Sequence, residues 1–339
     1  MNAQRVRNIK VVLGTMTVGK AGNEGVRVTT LANTSGLLDI FQRHGHVEVD
    51  TARVYGNGSS EELLGAIGWQ HRGLQMATKL YPTSRVDLKW MSREEFTHSP
   101  VSLREGLMTS LVALKAEKID LFYLHGPDRK TPFRETLGEI NKLHQQGHFE
   151  RFGISNFHSW EVAEICEICK ANNWIMPSVY QGLYNAYYRV VEDELISCLR
   201  HYNVSLYVYN PLAGGLLTGR YYREQDTFQK GERFDPSTTQ GKFHRNRYWN
   251  DVNFAAAEIL TDTVSKLGIS ASEAALRWLA HHSALEKDRG DAVVVGASSQ
   301  AHLEENLAAL EKGPLPIDVL EALDAGWAKI RPLPLKFWH

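Results

Sequence analysis

Four side chains of the sequence have complementary acid–base chemistry: Asp50, Tyr55, Lys79 and His125. Tyrosine has an ordinary pKa of about 10, so a phenol is a weak proton donor near neutral pH. A neighbouring ammonium group favours the phenolate, so Lys79 is expected to lower the pKa of Tyr55 while Asp50 holds the lysine. Histidine can donate a hydrogen bond to a carbonyl oxygen beside the phenol. Together the four side chains would suit the protonation of a carbonyl oxygen.

The first two of these residues lie in one short segment. Val47 and Val49 alternate with polar residues up to Asp50, which predicts a strand. A loop follows and breaks at Gly56, so Asp50 ends the strand and Tyr55 lies just beyond it. Lys79 and His125 can lie beside Asp50 and Tyr55 only if the fold brings the ends of other strands to the same place.

Strand and helix patterns alternate along the chain. Apolar runs predict strands at residues 11–14, 46–50, 74–79, 119–125, 151–155, 178–181, 205–209 and 292–296. Amphipathic patterns and capping residues predict helices at 29–43, from Ser60, and at 102–115, 134–146, 159–172, 192–201, 253–268, 270–281, 300–311 and 317–330. Eight strands that alternate with helices predict an α/β fold with parallel strands, a single (β/α)8 TIM barrel over residues 1–339.

A doubly wound sheet is the alternative fold for such an alternation. It would place a Gly-x-Gly-x-x-Gly turn after an early strand, and the segment from Tyr55 to Gly58 lacks the third glycine. Residues 82–99 and 218–250 are predicted to be long loops, which are commonly lids or binding loops, and residues 331–339 are a C-terminal tail. The sequence therefore favours the barrel, with two insertions and a tail.

The active sites of such barrels lie at the carboxyl ends of the strands. In this sequence those ends carry Gly14-Thr15-Met16, Asp50, Lys79, His125, Ser155-Asn156, Gln181, Tyr209-Asn210 and Gly296. A single polar residue at a strand end can simply be solvated, but polar groups at nearly every end indicate one shared site. Tyr209 would offer a flat face to a nicotinamide ring. Hydrogen bonds to the carboxamide would come from Ser155, Asn156 and Gln181. The set is therefore suited to carbonyl reduction by a hydride donor.

Composition argues against several other classes of protein. The net charge of −1 offers no basic surface to nucleic acid, and no apolar run is long enough to span a membrane. The N-terminus lacks the apolar core of a secretory signal and the three cysteines fit a reduced compartment, so a cytoplasmic location is expected. Cys166 and Cys169 form a C-x-x-C motif that could be redox-active or bind a metal. Both follow the helical spacing of Val162 and Ile165, so buried packing is the favoured interpretation and no metal site is expected.

At these positions the sequence resembles the aldo-keto reductases over nearly its whole length. The motifs are Asp50-Thr-Ala-x-x-Tyr55-Gly, Thr78-Lys79, Ile119-Asp-Leu-Phe-Tyr-Leu-His125, Gly153-Ile-Ser-Asn156 and Tyr209-Asn-Pro-Leu. A closer resemblance, to the aflatoxin-aldehyde and succinic semialdehyde reductase branch, rests on Leu13-Gly-Thr-Met16, His125-Gly-Pro-Asp128, Arg245-Asn-Arg-Tyr-Trp249 and the glycine-rich run from Tyr209 to Gly219.

The resemblance implies NADPH-dependent reduction of an aldehyde or ketone, with Tyr55 as general acid, Lys79 and Asp50 as its tuning pair and His125 orienting the carbonyl. The implied cofactor contacts are Asp50, Ser155, Asn156, Gln181, Tyr209, Asn210, Pro211, Leu212, Gly214, Leu216, Gly219, Arg220, Arg233, Ser298, His302 and Asn306. The implied substrate contacts are Met16, Tyr55, His125, His244, Arg247, Trp338 and His339. Residues 210–220 would wrap the pyrophosphate through backbone N–H groups, and Arg233 would reach the cofactor phosphates.

The sequence departs from the broader family where the adenine end of the cofactor is expected. Many members have a Lys-Ser pair after the eighth strand and a later arginine, whereas this chain has Gly296-Ala297 and His302. Hydroxyl groups bind a phosphate dianion less strongly than an arginine fork does. NADPH remains favoured over NADH, and its affinity is expected to weaken as the pH rises and His302 loses its proton.

The C-terminal tail departs from the branch as well. The branch commonly ends in an arginine that holds the carboxylate of an acidic substrate, beside a second arginine that corresponds to Arg247. This chain ends Lys336-Phe-Trp-His339. Phe337 and Trp338 would present an aromatic wall to a bulky or aromatic carbonyl compound, or they would simply seal the rim of the barrel.

The resemblance leaves three functions open. The first is an NADPH-dependent carbonyl reductase acting on a small molecule, and the second is the same chemistry run as alcohol oxidation. The third is an NADP(H)-binding, redox-sensing regulatory subunit with little turnover, against which the complete proton-delivery set argues. Members of the branch are often dimeric, so a homodimer is expected.

Overall fold

The computed structural model describes residues 9–84, 92, 94–228 and 232–339. Its eight strands are β1 (Lys10–Gly14), β2 (Glu48–Asp50), β3 (Gln75–Leu80), β4 (Ile119–Leu124), β5 (Phe149–Ser155), β6 (Pro177–Leu183), β7 (Ser205–Tyr209) and β8 (Ala292–Gly296). Neighbouring strands pair in parallel, and β8 pairs with β1 to close the barrel. The predicted (β/α)8 barrel is confirmed, and the doubly wound alternative is wrong.

The helices lie between the strands along the chain. They are α1 (Leu31–Arg43), α2 (Ser59–Ile67), α3 (Pro100–Ala113), α4 (Phe133–Gln145), α5 (Ser159–Asn172), α6 (Leu195–His201), α7 (Thr239–Tyr248), α8 (Asp251–Ser265), α9 (Ala271–His281), α10 (Gln300–Glu311) and α11 (Ile317–Ile330). Short 3-10 turns include Tyr55–Gly58 and Ala213–Thr218, both after strand ends.

Most predicted boundaries differ from the observed ones by one to three residues, for local reasons. The helix α1 begins at Leu31 because the Thr30 hydroxyl accepts a hydrogen bond from Asn33 N and so caps it. The helix α7 lies inside the insertion 218–250, which was predicted as a loop. Its ten residues include a glycine and have no apolar stripe, so their pattern does not indicate a helix.

Side chains fill the interior of the barrel. Apolar and aromatic groups from alternate strands pack there: Val12, Ala77, Leu121, Tyr123, Val179, Tyr207, Ala292 and Val294. At the amino-terminal end of the strands the buried carboxylate of Glu48 contacts Lys10 and Arg151. The helices pack on the outer face of the strands and form the larger core. The packed interior leaves the carboxyl ends of the strands as the place for a site.

The C-x-x-C motif lies on α5, where Cys166 and Cys169 are buried. Burial raises the pKa of both thiols to about 12, so neither is a reactive thiolate near neutral pH. The packing interpretation therefore fits the structure. Among the described residues, no helix combines the length and the apolar character that crossing a membrane requires. Residues 85–91 and 93 of the first predicted loop, and 229–231 of the second, lie outside the described residues.

Candidate active site

A buried ion pair lies at the carboxyl end of the barrel. Lys79 Nζ donates to Asp50 Oδ2 at 2.5 Å and to the carbonyl oxygen of Thr51 at 2.7 Å. Gln181 Nε2 donates to the other carboxylate oxygen of Asp50 at 2.8 Å. Burial raises the pKa of Asp50 and lowers that of Lys79, and the short charged hydrogen bond opposes both shifts. Asp50 therefore holds the lysine, as the sequence predicts, and Gln181 orients that carboxylate.

Tyr55 begins a 3-10 turn, residues 55–58, that we call the tyrosine turn. Three successive residues of this turn are left-handed, with φ of 54° at Gly56, 56° at Asn57 and 88° at Gly58. Glycine and asparagine adopt this conformation at the lowest cost, which explains the local sequence. The turn places the Tyr55 ring so that its centre lies 4.9 Å from Lys79 Nζ.

The pKa of Tyr55 differs from the sequence-based prediction. Burial and the carboxylate of Asp50 raise the pKa of Tyr55 well above its ordinary value, and the guanidinium of Arg233 opposes the shift. The predicted lowering by Lys79 is thus not observed. The reason is that Asp50 largely cancels the ammonium charge at 2.5 Å, while burial disfavours the phenolate. The phenol holds its proton firmly until charge develops on an oxygen beside it.

His125 follows β4 and lies edge-on to two phenol rings. Its ring centre is 5.7 Å from that of Tyr55 and 5.5 Å from that of Tyr81. Burial, followed by the charges of Lys79 and His339, lowers the pKa of His125 well below its ordinary value. Its Nδ1 is buried without a hydrogen-bond partner among the described residues. A neutral imidazole here can donate a hydrogen bond but does not act as a charged acid.

Two further residues lie beside His125. Tyr81, which the sequence suggests for the substrate pocket, follows β3, and its Oη lies 3.2 Å from His339 Nδ1 in the tail. His98 is buried, and its Nε2 donates to the carbonyl oxygen of Leu80, which also accepts from His125 N. Burial lowers the pKa of His98 to about 4. His98 belongs to no periodic pattern or motif, so no local signal could have found it.

Three of the polar residues predicted to bind the nicotinamide, Ser155, Asn156 and Tyr209, form one network on the same rim, whereas Gln181 is bound to Asp50. Asn156 has a left-handed backbone with φ of 65°. Its Nδ2 donates to Ser155 Oγ and to the carbonyl oxygen of His125, both at 2.9 Å. Its Oδ1 accepts from Tyr209 Oη at 2.8 Å. Asn156 therefore links the predicted nicotinamide platform to the backbone of the predicted carbonyl-orienting histidine.

The segment after β7, residues 210–220, is rich in left-handed backbone. Asn210, Gly214, Gly215 and Gly219 have φ of 64°, 71°, 106° and 72°. Asn210 Oδ1 accepts from Gly214 N at 2.7 Å and stabilises the turn. The other predicted members of the segment are Pro211, Leu212, Leu216 and Arg220. Successive N–H groups in such a conformation can form a concave anion site, so the segment fits a pyrophosphate chemically.

Two predicted anion-binding arginines lie near this segment. Arg233 Nη1 is 3.9 Å from Met16 Sδ and 3.4 Å from His244 Nε2. A Cβ built on Gly214 would lie 3.3 Å from His244 Nδ1, so His244 connects Arg233 to the glycine segment. The charge of Arg233 also acts on Tyr55 by lowering the pKa of the phenol. Burial and the charges of both arginines lower the pKa of His244 well below its ordinary value. The second arginine, Arg247, lies 4.9 Å from the ring centre of Phe243.

Neither Arg233 nor Arg247 has a carboxylate within ion-pair distance among the described residues. Their charges are therefore available to an anionic group of a ligand. The geometry fits a cofactor phosphate at Arg233 and equally a group of the substrate, since that guanidinium lies close to the phenol. The sequence assigned it to the phosphates alone.

The residues predicted for the adenine end lie at the start of α10. Ser298 Oγ is 2.9 Å from His302 Nδ1, and Ser299 caps the helix by accepting from His302 N. Asn306 is buried one turn further on. These groups form a polar patch at a helix N-terminus, which suits a phosphate.

The tail packs across the ends of the strands. Tyr188 Oη donates to O of Lys336 and accepts from its N, both at 2.8 Å, and Phe337 is buried. Trp338 packs on His158 with ring centres 4.2 Å apart and ring planes tilted by 36°. His339 N donates to the carbonyl oxygen of Asn156 at 3.1 Å. Phe337 is therefore part of the packing, whereas Trp338 and His339 remain partly exposed and their contact with a substrate stays a prediction.

Comparisons with known proteins agree with this geometry. Aldo-keto reductase pigE from Monascus ruber is 47% identical over 332 residues, which cover 97% of each chain. Aflatoxin B1 aldehyde reductase member 2 from Mus musculus is 45% identical over 325 residues, covering 93% of this chain and 84% of the relative. The structure of a glycerol dehydrogenase from Gluconobacter oxydans matches with a TM-score of 0.71 at 25% identity, covering 97% of each chain.

The sequence profile of the Aldo/keto reductase family matches residues 10–328. The matched range includes all eight strands and the four residues Asp50, Tyr55, Lys79 and His125. The chain therefore belongs to the aldo-keto reductase family, in the branch of the aflatoxin B1 aldehyde reductases, and is an oxidoreductase that acts on carbonyl groups.

Proposed function

We propose that the protein reduces an aldehyde or ketone to the alcohol, with NADPH as hydride donor and Tyr55 as proton donor. The observation that carries the proposal is the meeting of Tyr55, Lys79, Asp50 and His125 at one buried point of the rim, with 4.9 Å between Lys79 Nζ and the Tyr55 ring centre. Proton transfer by a positioned side chain requires such proximity. The cofactor, when bound, supplies a hydride to the carbonyl carbon.

The side chains of the chain itself divide the remaining work. Tyr55 holds a proton at Oη and releases it to the carbonyl oxygen as negative charge develops there. His125, being neutral, donates a hydrogen bond to the same oxygen and orients it. The ammonium of Lys79, 4.9 Å from the ring centre, would stabilise the phenolate that remains, and the carboxylate of Asp50 limits this effect.

The binding groups for NADPH come from both sides of this point. Tyr209 and Asn156 would bind the nicotinamide, the left-handed segment 210–220 would bind the pyrophosphate, and Ser298 and His302 would bind the adenosine phosphate. Among the described residues the guanidinium of Arg233 forms no ion pair with a carboxylate, which supports binding of a phosphate or of an anionic substrate group. Assembly as a homodimer and a cytoplasmic location remain predictions from the sequence.

The substrate that we propose is a bulky or aromatic carbonyl compound. The ring contacts of Tyr81 with His339 and of Trp338 with His158 support this class of substrate, because they bring aromatic groups close to His125 and Asn156. The similarity to proteins named aflatoxin B1 aldehyde reductase supports a polycyclic aldehyde in particular. Burial of a large aromatic substrate surface against aromatic side chains favours binding.

The test is the loss of NADPH absorbance with a panel of carbonyl compounds. We expect turnover with phenanthrenequinone and nitrobenzaldehyde at a higher kcat/KM than with succinic semialdehyde, and with NADPH in preference to NADH. Tight NADPH binding with no turnover on the panel would contradict the proposal. A reversed preference for succinic semialdehyde would contradict the substrate class but not the reaction.

A further inference from the structure

An ion pair that plays no part in the chemistry above lies beneath the tyrosine turn. Arg53 Nη1 is 2.7 Å from Glu61 Oε2, and their side chains are 7% and 0% exposed. Glu61 lies in the first turn of α2, and its carboxylate is buried against the guanidinium of Arg53, which belongs to the loop that carries Tyr55.

This pair connects the loop of Tyr55 to the strand of Lys79. Glu61 Oε1 accepts from Thr78 Oγ1 at 2.6 Å, and Thr78 directly precedes the lysine. The backbone of Arg53 adds a second connection, since its N donates to the carbonyl oxygen of Lys79 at 3.0 Å. Burial raises the pKa of Glu61, and the guanidinium of Arg53 opposes that shift. The loop that carries the Tyr55 phenol is therefore linked to the strand that carries the Lys79 ammonium.

The guanidinium also shapes the tyrosine turn itself. A Cβ built on Gly58 would lie 1.5 Å from Arg53 Nη2, so the arginine occupies the space that any other residue at position 58 would need. The turn has three left-handed residues in a row, and one of them, Asn57 with φ of 56°, is not a glycine. Such a conformation persists only when surrounding contacts impose it.

Stability alone does not account for these buried charges. The desolvation of both ions largely offsets their attraction, and apolar residues of similar volume are often equally stable. The guanidinium of Arg53 does, however, lie between close neighbours, since it is 2.7 Å from Glu61 Oε2 and 3.5 Å from Glu94 Oε2 and fills the space beside Gly58. The pair is therefore better explained by the geometry it imposes than by free energy of folding.

We propose that Arg53 and Glu61 are a positioning pair that fixes the Tyr55 hydroxyl relative to Lys79 and His125. The inference rests on the proposed function, in which Tyr55 donates the proton. A displacement of about 1 Å at a reacting group can lower a rate by about 100-fold. Loss of the pair should therefore reduce turnover while the cofactor site, built by other strands, is unchanged.

The experiment compares Glu61→Gln with Asp291→Asn. Asp291 is an equally buried carboxylate that pairs with Arg200 at 2.5 Å, far from the rim. We expect Glu61→Gln to lower kcat at saturating substrate by roughly 10- to 100-fold with the NADPH Kd, measured by fluorescence, unchanged. Asp291→Asn should lower Tm and leave kcat unchanged. Equal kcat for Glu61→Gln and wild type would overturn the proposal.

A readout without turnover separates this inference from the proposed function. Fluorotyrosine placed at position 55 should give one sharp fluorine NMR signal in the wild type and the Asp291→Asn control. It should give a broadened or second signal in Glu61→Gln. An unchanged signal in the variant overturns the positioning role, whereas an inactive wild type overturns only the proposed reaction. If Glu61→Gln does not fold, Arg53→Lys keeps the charge, lacks the planar fork and should show the same two effects.

Discussion

The ammonium of Lys79 lies 4.9 Å from the centre of the Tyr55 ring, and 2.5 Å from a carboxylate oxygen of Asp50. It therefore faces the phenol ring as one half of an ion pair and not as a free charge. Because Asp50 offsets the ammonium charge and burial disfavours the phenolate, the pKa of Tyr55 is raised and not lowered. A phenol that keeps its proton near neutral pH is what the proposed proton donor requires.

Tyr55→Phe tests the proton donor directly. The substitution removes the hydroxyl and keeps the ring that packs against Lys79, so the fold and the NADPH Kd should not change. General acid catalysis is typically worth 10²–10⁴-fold, and we expect the rate of hydride transfer to fall by about that factor. Stopped-flow absorbance of NADPH measures that rate under single-turnover conditions. A rate equal to that of the wild type would assign the acid to another group.

Lys79→Met tests the buried ion pair. The variant leaves the Asp50 carboxylate, which is 2% exposed, without its cation. Breaking a buried pair in this way typically costs about 3–5 kcal/mol, and urea unfolding should show a loss of that size together with loss of turnover.

The matched control for this variant is Lys118→Met. Lys118 pairs with Glu150 on the surface, where the two side chains are 48% and 59% exposed. Surface pairs contribute about 1 kcal/mol or less. If both lysine variants lost the same small free energy, the charge on Asp50 would have to be absent or otherwise compensated.

The residues at the strand ends could be predicted from the sequence, but the burial of their side chains could not. Asp50, Lys79 and His125 each close an apolar run, and eight such runs with helices between them indicate one barrel rim. The pKa of Tyr55 was predicted in the wrong direction because burial, the largest cause of its shift, depends on residues from several distant segments. Residue types in a short motif do not reveal how much water reaches them.

Contacts between distant segments account for the other differences. The tail reaches Asn156 and Tyr81, and Arg53 reaches Glu61 across the tyrosine turn. These contacts depend on the path of the loops over the closed barrel, which the periodicity of the sequence does not indicate. The missed helix α7 has the same cause, since its buried residues, His244 and Tyr248 among them, pack against the glycine segment after β7.

Stability should fall on acidification through His98. Burial lowers the pKa of His98 to about 4, and histidine in an unfolded chain has a pKa of about 6.5. The unfolded chain therefore binds more protons between these values. The contribution of His98 is complete above about pH 6.5 and is lost towards pH 4, with a slope of up to about 1.4 kcal/mol per pH unit.

Urea unfolding of His98→Gln between pH 4 and 7 (roughly the titration range of this histidine) should show a shallower slope than the wild type. Asp128, which accepts from His98 N, has a pKa below its ordinary value and titrates below this range. His71→Gln, at an exposed position, should retain the slope of the wild type. Equal slopes for the two variants would show that His98 does not stay neutral on folding.

Trp338→Ala should change substrate selection more than catalysis. The indole packs on His158 with tilted ring planes and precedes His339, which contacts Tyr81 beside the predicted acid. Removing it should raise KM for a polycyclic carbonyl compound by roughly tenfold, since burial of one aromatic face is worth about 1–2 kcal/mol. KM for a small aldehyde and the NADPH Kd should stay within about twofold, because neither ligand needs contact with the indole of Trp338.

Trp160→Ala is the matched control, since Trp160 stacks on His158 at 5.9 Å but is 58% exposed. A parallel rise of KM for both substrates in Trp338→Ala would mean that the tail supports the rim without contacting the substrate.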